Sequence, residues 1–392
     1  MLAGALLFSA GSQAFSVAAN GPTTSVARHQ VHAAAATARP VAAAARVTLP
    51  PQMVTKPLKI GVVGVTGAVG KEIISVLGNR KFPVDDLKLF ASARSAGKPQ
   101  QTPFGEKMIE EFTLEAARSC DVVFLAVSGD FALEWVDKIT ENDGPLVIDN
   151  SSAFRYDDSV PLVVPEINAD AARKSKRRVV ANPNCTTAIA LMAMAPLHAE
   201  FGIKKCIMST YQAASGAGQP GMEELQKGSA DMANGKDLTG TNEIFAHPLP
   251  FNVIPHIDKF LEDDYTKEER KVTWETRKIM GLPDLPVSCT CVRIPTLRAH
   301  AESITIETER PVDVARAKAV LAAAPGVELT DDVTKNLYPM PLTASTKYDV
   351  EVGRIRKNDV FGDYGLDFFV CGDQLLRGAA LNAVLIAEAV CD

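Results

Sequence analysis

Apolar positions gather at Ile60, Val62 and Val63, pass through a run of glycines, and resume at helical spacing at Ile73, Ile74 and Leu77. This predicts a buried strand, a tight turn and a helix that stops near Gly78-Asn79. Short apolar runs recur at 87–92, 121–127, 146–151 and 177–182, with helical stretches such as 112–120 and 131–140 between them. Strands alternating with helices predict a parallel sheet covered on both faces, hence an α/β, Rossmann-type first domain over 53–184. After residue 185 the texture changes. Longer strand candidates lie at 204–215, 287–297 and 301–309, and a polar helical stretch lies at 261–281. This predicts an α+β second domain over 185–373 with a mixed or antiparallel sheet. The last segment, 374–392, reads as an amphipathic helix returning to the first domain.

Composition narrows the class. With 392 residues, 46% of them hydrophobic and 22% charged, the chain has room for two sizeable domains. A formal charge of −6 without long basic runs argues against nucleic acid as the main partner, and no apolar stretch is long enough to predict a membrane span. The seven cysteines include no CxxC pair, so we expect reduced thiols and neither a structural zinc site nor a disulfide framework. The first 52 residues differ from the rest. No acidic residue precedes Glu72, while Arg28, Arg39 and Arg46 sit among Ala, Ser and Thr. This composition predicts a transit-type leader for a plastid. The short apolar "LAGALLFSAGSQAF" ahead of it suggests a bipartite leader of the kind used by algae with secondary plastids.

Two features carry chemistry. Gly64, Gly67 and Gly70 sit between the first strand and helix, where glycines let the backbone approach a pyrophosphate at a helix N-terminus. The next strand ends in Ser92, Arg94, Ser95 and Lys98 in place of the carboxylate that would bind a ribose 2′-hydroxyl, which favours the 2′-phosphate of NADP. The second feature is "NPNCTT". Asn184 can cap a helix starting near Cys185, and a thiol there is expected to feel the helix dipole and carry a lowered pKa. A nicotinamide domain followed by such a cysteine suggests an enzyme that passes a hydride through a thioester or thiohemiacetal.

The motifs "GVTGAVG", "ASARSAG", "DNSSAFR", "VPEIN", "NPNCTT", "TYQAASGAG", "FNVIPHID" and "CVRIPTLRAH", with the closing "GAALNAV", resemble the aspartate-β-semialdehyde dehydrogenases. That family makes aspartate semialdehyde from aspartyl-β-phosphate with NADPH, in the pathway to lysine, threonine, methionine and isoleucine. The resemblance implies Cys185 as nucleophile, Gln212 as a group orienting substrate or acyl intermediate, and His300 as acid/base. It implies Arg293 for the substrate carboxylate, Arg155, Asn184 and Lys271 for phosphate, and Glu268 for the substrate amino group. Cofactor contacts would fall on Gly64, Thr66, Gly67, Ala68, Val69, Gly70, Ser92, Arg94, Ser95, Ser215, Gly216 and Asn382, with no metal. A homodimer or dimer of dimers is implied, packed in part by the "FNVIPHID" segment and the acidic helical stretch after it. Gln374 stands where the family pattern has Asn.

Each residue has a plainer reading. Arg155 and Arg293 could be structural ion-pair residues, Glu268 and Lys271 a solvated helix face, and His198, His247 or His256 a rival base. N-acetyl-glutamyl-phosphate reductase and glyceraldehyde-3-phosphate dehydrogenase share the domain plan, and a non-catalytic NADP sensor could keep the scaffold. The leader yields the first prediction. A chain beginning at Met53 should be soluble, active and as heat-stable as the full chain; a large fall in melting temperature would make the leader part of the folded body.

Overall fold

The computed structural model describes residues Val54–Cys391, so the leader assigned to 1–52 lies outside the described residues. The first sheet holds β1 (Leu58–Val63), β2 (Val84–Ala91), β3 (Pro99–Thr102), β4 (Gly105–Glu111), β5 (Val122–Leu125), β6 (Leu146–Asp149) and β7 (Val179–Ala181), in the order β3-β4-β2-β1-β5-β6-β7. All its pairings are parallel except β3 on β4. The order reverses at β1 and β5, and Gly64 leaves the carboxyl end of β1 at that crevice. Open α/β sheets bind ligands at such a point. The β3–β4 hairpin follows the "ASARSAG" turn and carries mostly polar residues, which is why no apolar periodicity announces it.

The second sheet holds β8 (Ile203–Gln212), β9 (Val287–Arg293), β10 (His300–Thr308), β11 (Val327–Leu329), β12 (Val350–Lys357) and β13 (Gly365–Gly372). Its order is β11-β12-β13-β10-β8-β9, mixed as expected: β8 runs parallel to β9 and antiparallel to β10. The strand expected over 204–215 stops at Gln212, and Ala214–Ala217 forms a 3-10 turn, so Ser215 and Gly216 lie on a turn.

Ten α-helices connect these strands among the described residues: α1 (Ala68–Asn79), α2 (Leu114–Arg118), α3 (Gly129–Thr140), α4 (Pro165–Arg173), α5 (Cys185–Phe201), α6 (Gly218–Ala233), α7 (Lys267–Met280), α8 (Val314–Ala323), α9 (Pro341–Ala344) and α10 (Leu381–Val390). Helix α5 joins the two sheets. Its residues from Ala188 to Met194 are all buried, in one core with Val123, Leu125 and Val147 of the first sheet and Met208, Ile304 and Ile306 of the second. An element covered on every side has no polar stripe.

The C-terminal segment corrects the expectation of an amphipathic helix. It opens with a π-helical turn, Leu376–Ala380, and α10 then buries Leu381, Ala383, Val384, Ile386 and Ala387 against α4, α1 and β6, in the core that also holds residues of β1 and β5. Arg80 at the end of α1 holds Glu388 through two 2.6 Å bonds, closing this layer.

Candidate active site

The glycine turn is built for close backbone approach. Gly64 has φ +89°, and a Cβ on it would fall 2.2 Å from the Ala126 carbonyl oxygen; a Cβ on Gly70 would fall 2.3 Å from the Gly64 oxygen. Helix α1 starts from Gly67 with no side-chain cap, so its first amides, at Ala68, Val69 and Gly70, remain available to an anion. These features fit a dinucleotide pyrophosphate, with Thr66 on the same turn. At the end of β2, Ser92 and Arg94 are exposed and the Ser95 amide bonds the Ser92 carbonyl at 2.8 Å. Arg94 makes no ion pair among the described residues, which leaves its charge for a ligand.

Cys185 is the first residue of α5 and opens on a cleft of about 420 Å³ lined by Val69, Arg155, Asn184, Gln212, Ser215, Gly216, Glu268, Lys271, Arg293 and Gln374, among others. Asn184 caps the helix as expected, its Oδ1 accepting the Thr186 and Thr187 amides at 3.0 and 3.2 Å. The expected lowering of the thiol pKa does not follow. Burial, with the nearby Glu268 carboxylate second, pushes Cys185 up to about 12, against Arg155 and Arg293, which favour the thiolate. Burial, rather than the position at a helix N-terminus, sets the direction of the shift. Gly378 sits against it: a Cβ there would lie 2.4 Å from the Cys185 Cβ.

The two arginines differ. Arg155 is ion-paired with Glu275 at 3.1 Å and also bonds the Asn182 and Asn150 carbonyls at 2.9 Å each, so the structural reading holds for part of its fork. Three of its five N–H groups are engaged, and it still lines the cleft. Arg293 is buried and makes no ion pair among the described residues; its Nη1 donates to the Ala213 carbonyl at 2.5 Å and its guanidinium lies over the Phe245 ring. A buried cation without a counter-ion is costly unless a ligand supplies one.

Glu268 is buried, not solvated. Its Oε1 accepts from Asn184 Nδ2 at 2.9 Å and Gln212 Nε2 at 3.2 Å, and its Oε2 pairs with Lys271 at 3.1 Å. Lys271 also reaches Asp258 at 2.7 Å. The sequence reading passed over Asp258 and Glu275. Asp258 stands in the quoted "FNVIPHID" motif, and Glu275 lies seven residues beyond Glu268 on the same helix, a spacing that was legible.

His300 opens β10. Its Nδ1 accepts the Ala213 amide at 3.0 Å, which leaves the ring proton on Nε2, a buried atom without a partner among the described residues. Burial and the adjacent Arg293 lower its pKa to about 3, so the ring is neutral near pH 7 and presents a hydrogen-bond donor. Gly216 packs here: a Cβ on it would lie 2.7 Å from Arg293 Nη1 and 3.2 Å from His300 Nε2. Ser215 accepts a hydrogen bond from Gln374 Nε2, and Gln374 Oε1 accepts the Ala299 amide at 2.8 Å. Gln374 thereby ties the turn to the residue preceding His300. Asn382 does not line the cleft. It is fully buried in α10, donating to Val163 O at 2.9 Å and to Asn182 Oδ1 at 2.6 Å, one layer behind the wall. No histidine among the described residues lines the cleft: His198 Nδ1 accepts the Ile203 amide at 2.9 Å, His256 stacks on Phe260, and His300 lies just behind the cleft residue Gly216.

A dinucleotide crevice beside a cleft lined by a cysteine and a buried arginine marks the class of nicotinamide-dependent dehydrogenases. Two family descriptions match: "Semialdehyde dehydrogenase, NAD binding domain" over residues 59–175 and "Semialdehyde dehydrogenase, dimerisation domain" over 194–377. The chain is 46% identical to an aspartate-semialdehyde dehydrogenase of Synechocystis over 85% of this chain and 97% of that protein. It is 44% identical to one of Aquifex aeolicus over 84% and 97%. A solved aspartate semialdehyde dehydrogenase II of Vibrio cholerae superposes with a TM-score of 0.81 at 36% identity, covering 86% of this chain and 98% of that one. The chain belongs to the aspartate-semialdehyde dehydrogenase family.

The neutral state of His300 can be tested through stability. Between an unfolded pKa of 6.5 and a folded one of about 3 only the unfolded chain takes up the proton, so stability present above pH 6.5 is lost as pH falls. At pH 5 the loss from this group is roughly 2 kcal/mol. His300→Asn should remove it, so the melting temperature of the variant should fall less between pH 7 and pH 5 than that of the parent. Parallel falls would mean that the ring is charged in the folded state.

Proposed function

We propose that the chain reduces L-aspartyl-4-phosphate to L-aspartate 4-semialdehyde with NADPH, reversibly, through a Cys185 thioester, in the biosynthesis of lysine, threonine, methionine and isoleucine. The observation that carries the reading is the pairing of the cleft-facing Cys185 with the unpaired, buried Arg293. Arg293 would take the substrate α-carboxylate in a two-pronged contact, and Glu268 its ammonium. Arg155, Asn184 and Lys271 would face the phosphate.

The proton balance is simple. Sulfur attacks the acyl carbon, the C–O bond to phosphate breaks, and the thiol proton departs on the phosphate as hydrogen phosphate. Binding of the ammonium at Glu268 offsets a carboxylate that otherwise disfavours the thiolate. The glycine turn at Gly64–Gly70 would hold NADPH, which when bound would supply the hydride for the thioester carbon. Gln212 orients the acyl group, and His300 Nε2–H donates a hydrogen bond to the oxygen as it gains charge. Expulsion of sulfur releases the aldehyde, and the thiolate takes a proton from solvent. In this reading His300 acts as a neutral hydrogen-bond donor, a narrower role than the acid/base that the resemblance implies.

The family descriptions support a dimer, which we extend to a homodimer or dimer of dimers. A plastid address is supported by the acid-free leader and by the first family match beginning only at residue 59.

The reading is tested by following phosphate-dependent NADP reduction with aspartate semialdehyde, against N-acetyl-glutamate semialdehyde and glyceraldehyde-3-phosphate. Cys185→Ser should fall to background. His300→Gln, which keeps an N–H donor, should retain at least about tenfold more turnover than His300→Ala. Near-normal turnover of Cys185→Ser would return the cysteine to the core, and no turnover by the parent chain would favour a sensor.

Cofactor choice is tested separately. Arg94→Ala removes a charge-assisted contact to the 2′-phosphate, roughly 1.5–3 kcal/mol or about one to two decades in NADPH affinity. NADH affinity should hardly change, and equal losses for both would refute the preference.

A further inference from the structure

One stripe of helix α7 meets the site four times. Glu268, Lys271, Glu275 and Lys278 are spaced three, four and three residues apart, which places them on a single helix face. The first two line the cleft. The other two reach what lies behind it.

Glu275 is fully buried and faces three donors. Its Oε1 accepts from Arg155 Nη1 at 3.1 Å and from the Tyr156 hydroxyl at 3.3 Å, while its Oε2 accepts the backbone amide of Asn184 at 2.5 Å. Burial, with Glu268 adding to it, pushes the Glu275 carboxyl pKa up, while Arg155 and the Asn184 amide oppose that shift; an arginine N–H and a backbone amide can only donate, so the hydrogen-bond geometry itself calls for the carboxylate. One side chain thus grips Arg155 and also the residue that precedes Cys185. Lys278 completes the hold. Its Nζ donates to the carbonyls of Arg155, Asp157 and Val160 at 3.0, 2.7 and 3.0 Å, and three acceptors satisfy all its N–H groups. The loop carrying Arg155 is therefore fixed at its backbone by Lys278 and at its guanidinium by Glu275.

We infer that Glu275 and Lys278 are positioning residues for the phosphate half of the reaction, holding the Arg155 fork and, through Glu275, the start of the nucleophile helix. The proposal rests on the reading of Arg155 as a phosphate contact. Glu275 has a second effect, because it partly neutralises Arg155, a cation that favours the Cys185 thiolate. Loss of the Glu275 charge leaves Arg155 uncompensated beside the thiol. The same substitution should then misplace the anion site and make the sulfur easier to ionise, two changes of opposite sign that a loss of folding would not produce.

The test uses the full chain and three variants, with inorganic phosphate, aspartate semialdehyde and iodoacetamide as probes. In Glu275→Gln the amide nitrogen must face one of the three donors. The KM for phosphate should rise about tenfold or more, as small misplacements of charged contacts do. The KM for aspartate semialdehyde, set at Arg293, should move less than about twofold, and the pH midpoint for Cys185 alkylation should fall. Lys278→Met keeps the stem but frees the loop, so it should raise the phosphate KM and leave the alkylation midpoint in place. Arg155→Lys serves as the reference. An unchanged phosphate KM in Arg155→Lys would refute the phosphate reading itself. A raised KM there, with normal values in Glu275→Gln and Lys278→Met, would overturn the positioning proposal alone. So would a Glu275→Gln variant in which both KM values rise together with the alkylation midpoint unchanged. Should Glu275→Gln fail to fold, the phosphate KM of Lys278→Met decides.

Discussion

Helix α5 has to begin at one place, and the geometry of both sheets converges there. Asn184 caps it with Oδ1 on two amides, lends its side-chain amide to Glu268, and gives its backbone amide to Glu275. Three kinds of hydrogen bond on one residue fix the first turn of a helix whose next stretch, Ala188 to Met194, is held by apolar packing. Packing sets the axis of such a helix but only weakly its rotation and register, since every face is apolar. Polar bonds at the cap supply what packing lacks, and they fall one residue from the sulfur.

That arrangement explains why the site carries so much buried charge. Glu268, Glu275, Arg155 and Arg293 are all buried, and isolated ions there would be costly. The carboxylates of α7 are offset by Arg155, Lys271 and amide donors. Arg293 is the exception among them: it forms no ion pair among the described residues, and the Glu268 carboxylate acts on it only at longer range. The same contrast divides Arg155, committed along three of its donors, from an arginine held mainly by one carbonyl.

Much of this was legible in the sequence. The strand–glycine–helix pattern at 58–79 and the cap at Asn184 are local, with periods and turn residues that short-range physics dictates. The cleft residues came from motifs, and the fold brings Cys185, Gln212, Glu268, Lys271 and Arg293 into one cleft with His300 behind Gly216. Other features depend on tertiary context. The buried character of α10 reflects what α1 and α4 place against it, and its composition alone reads equally well as a surface helix. The β3–β4 hairpin has no apolar alternation to read. Asn382 carries a polar side chain in an apolar run, and only the fold shows that it serves Asn182 rather than a ligand.

The thiol pKa marks where local reasoning fails most clearly. A helix N-terminus stabilises an anion by a fraction of a charge, whereas burial removes most of the solvation that an anion needs. The dipole is set by sequence position, but desolvation is set by Gly378, Gly216 and the walls of the cleft, residues far apart in the chain. His300 obeys the same balance from the other side, held neutral by burial and by Arg293. Burial pushes both Cys185, on the cleft wall, and His300, behind Gly216, toward their neutral forms, and only a change in local charge would shift that balance. The bound ammonium, carboxylate and phosphate would provide that change. The Glu268 carboxylate, which disfavours the Cys185 thiolate, is the same charge that in the proposed reaction would receive the substrate's amino group.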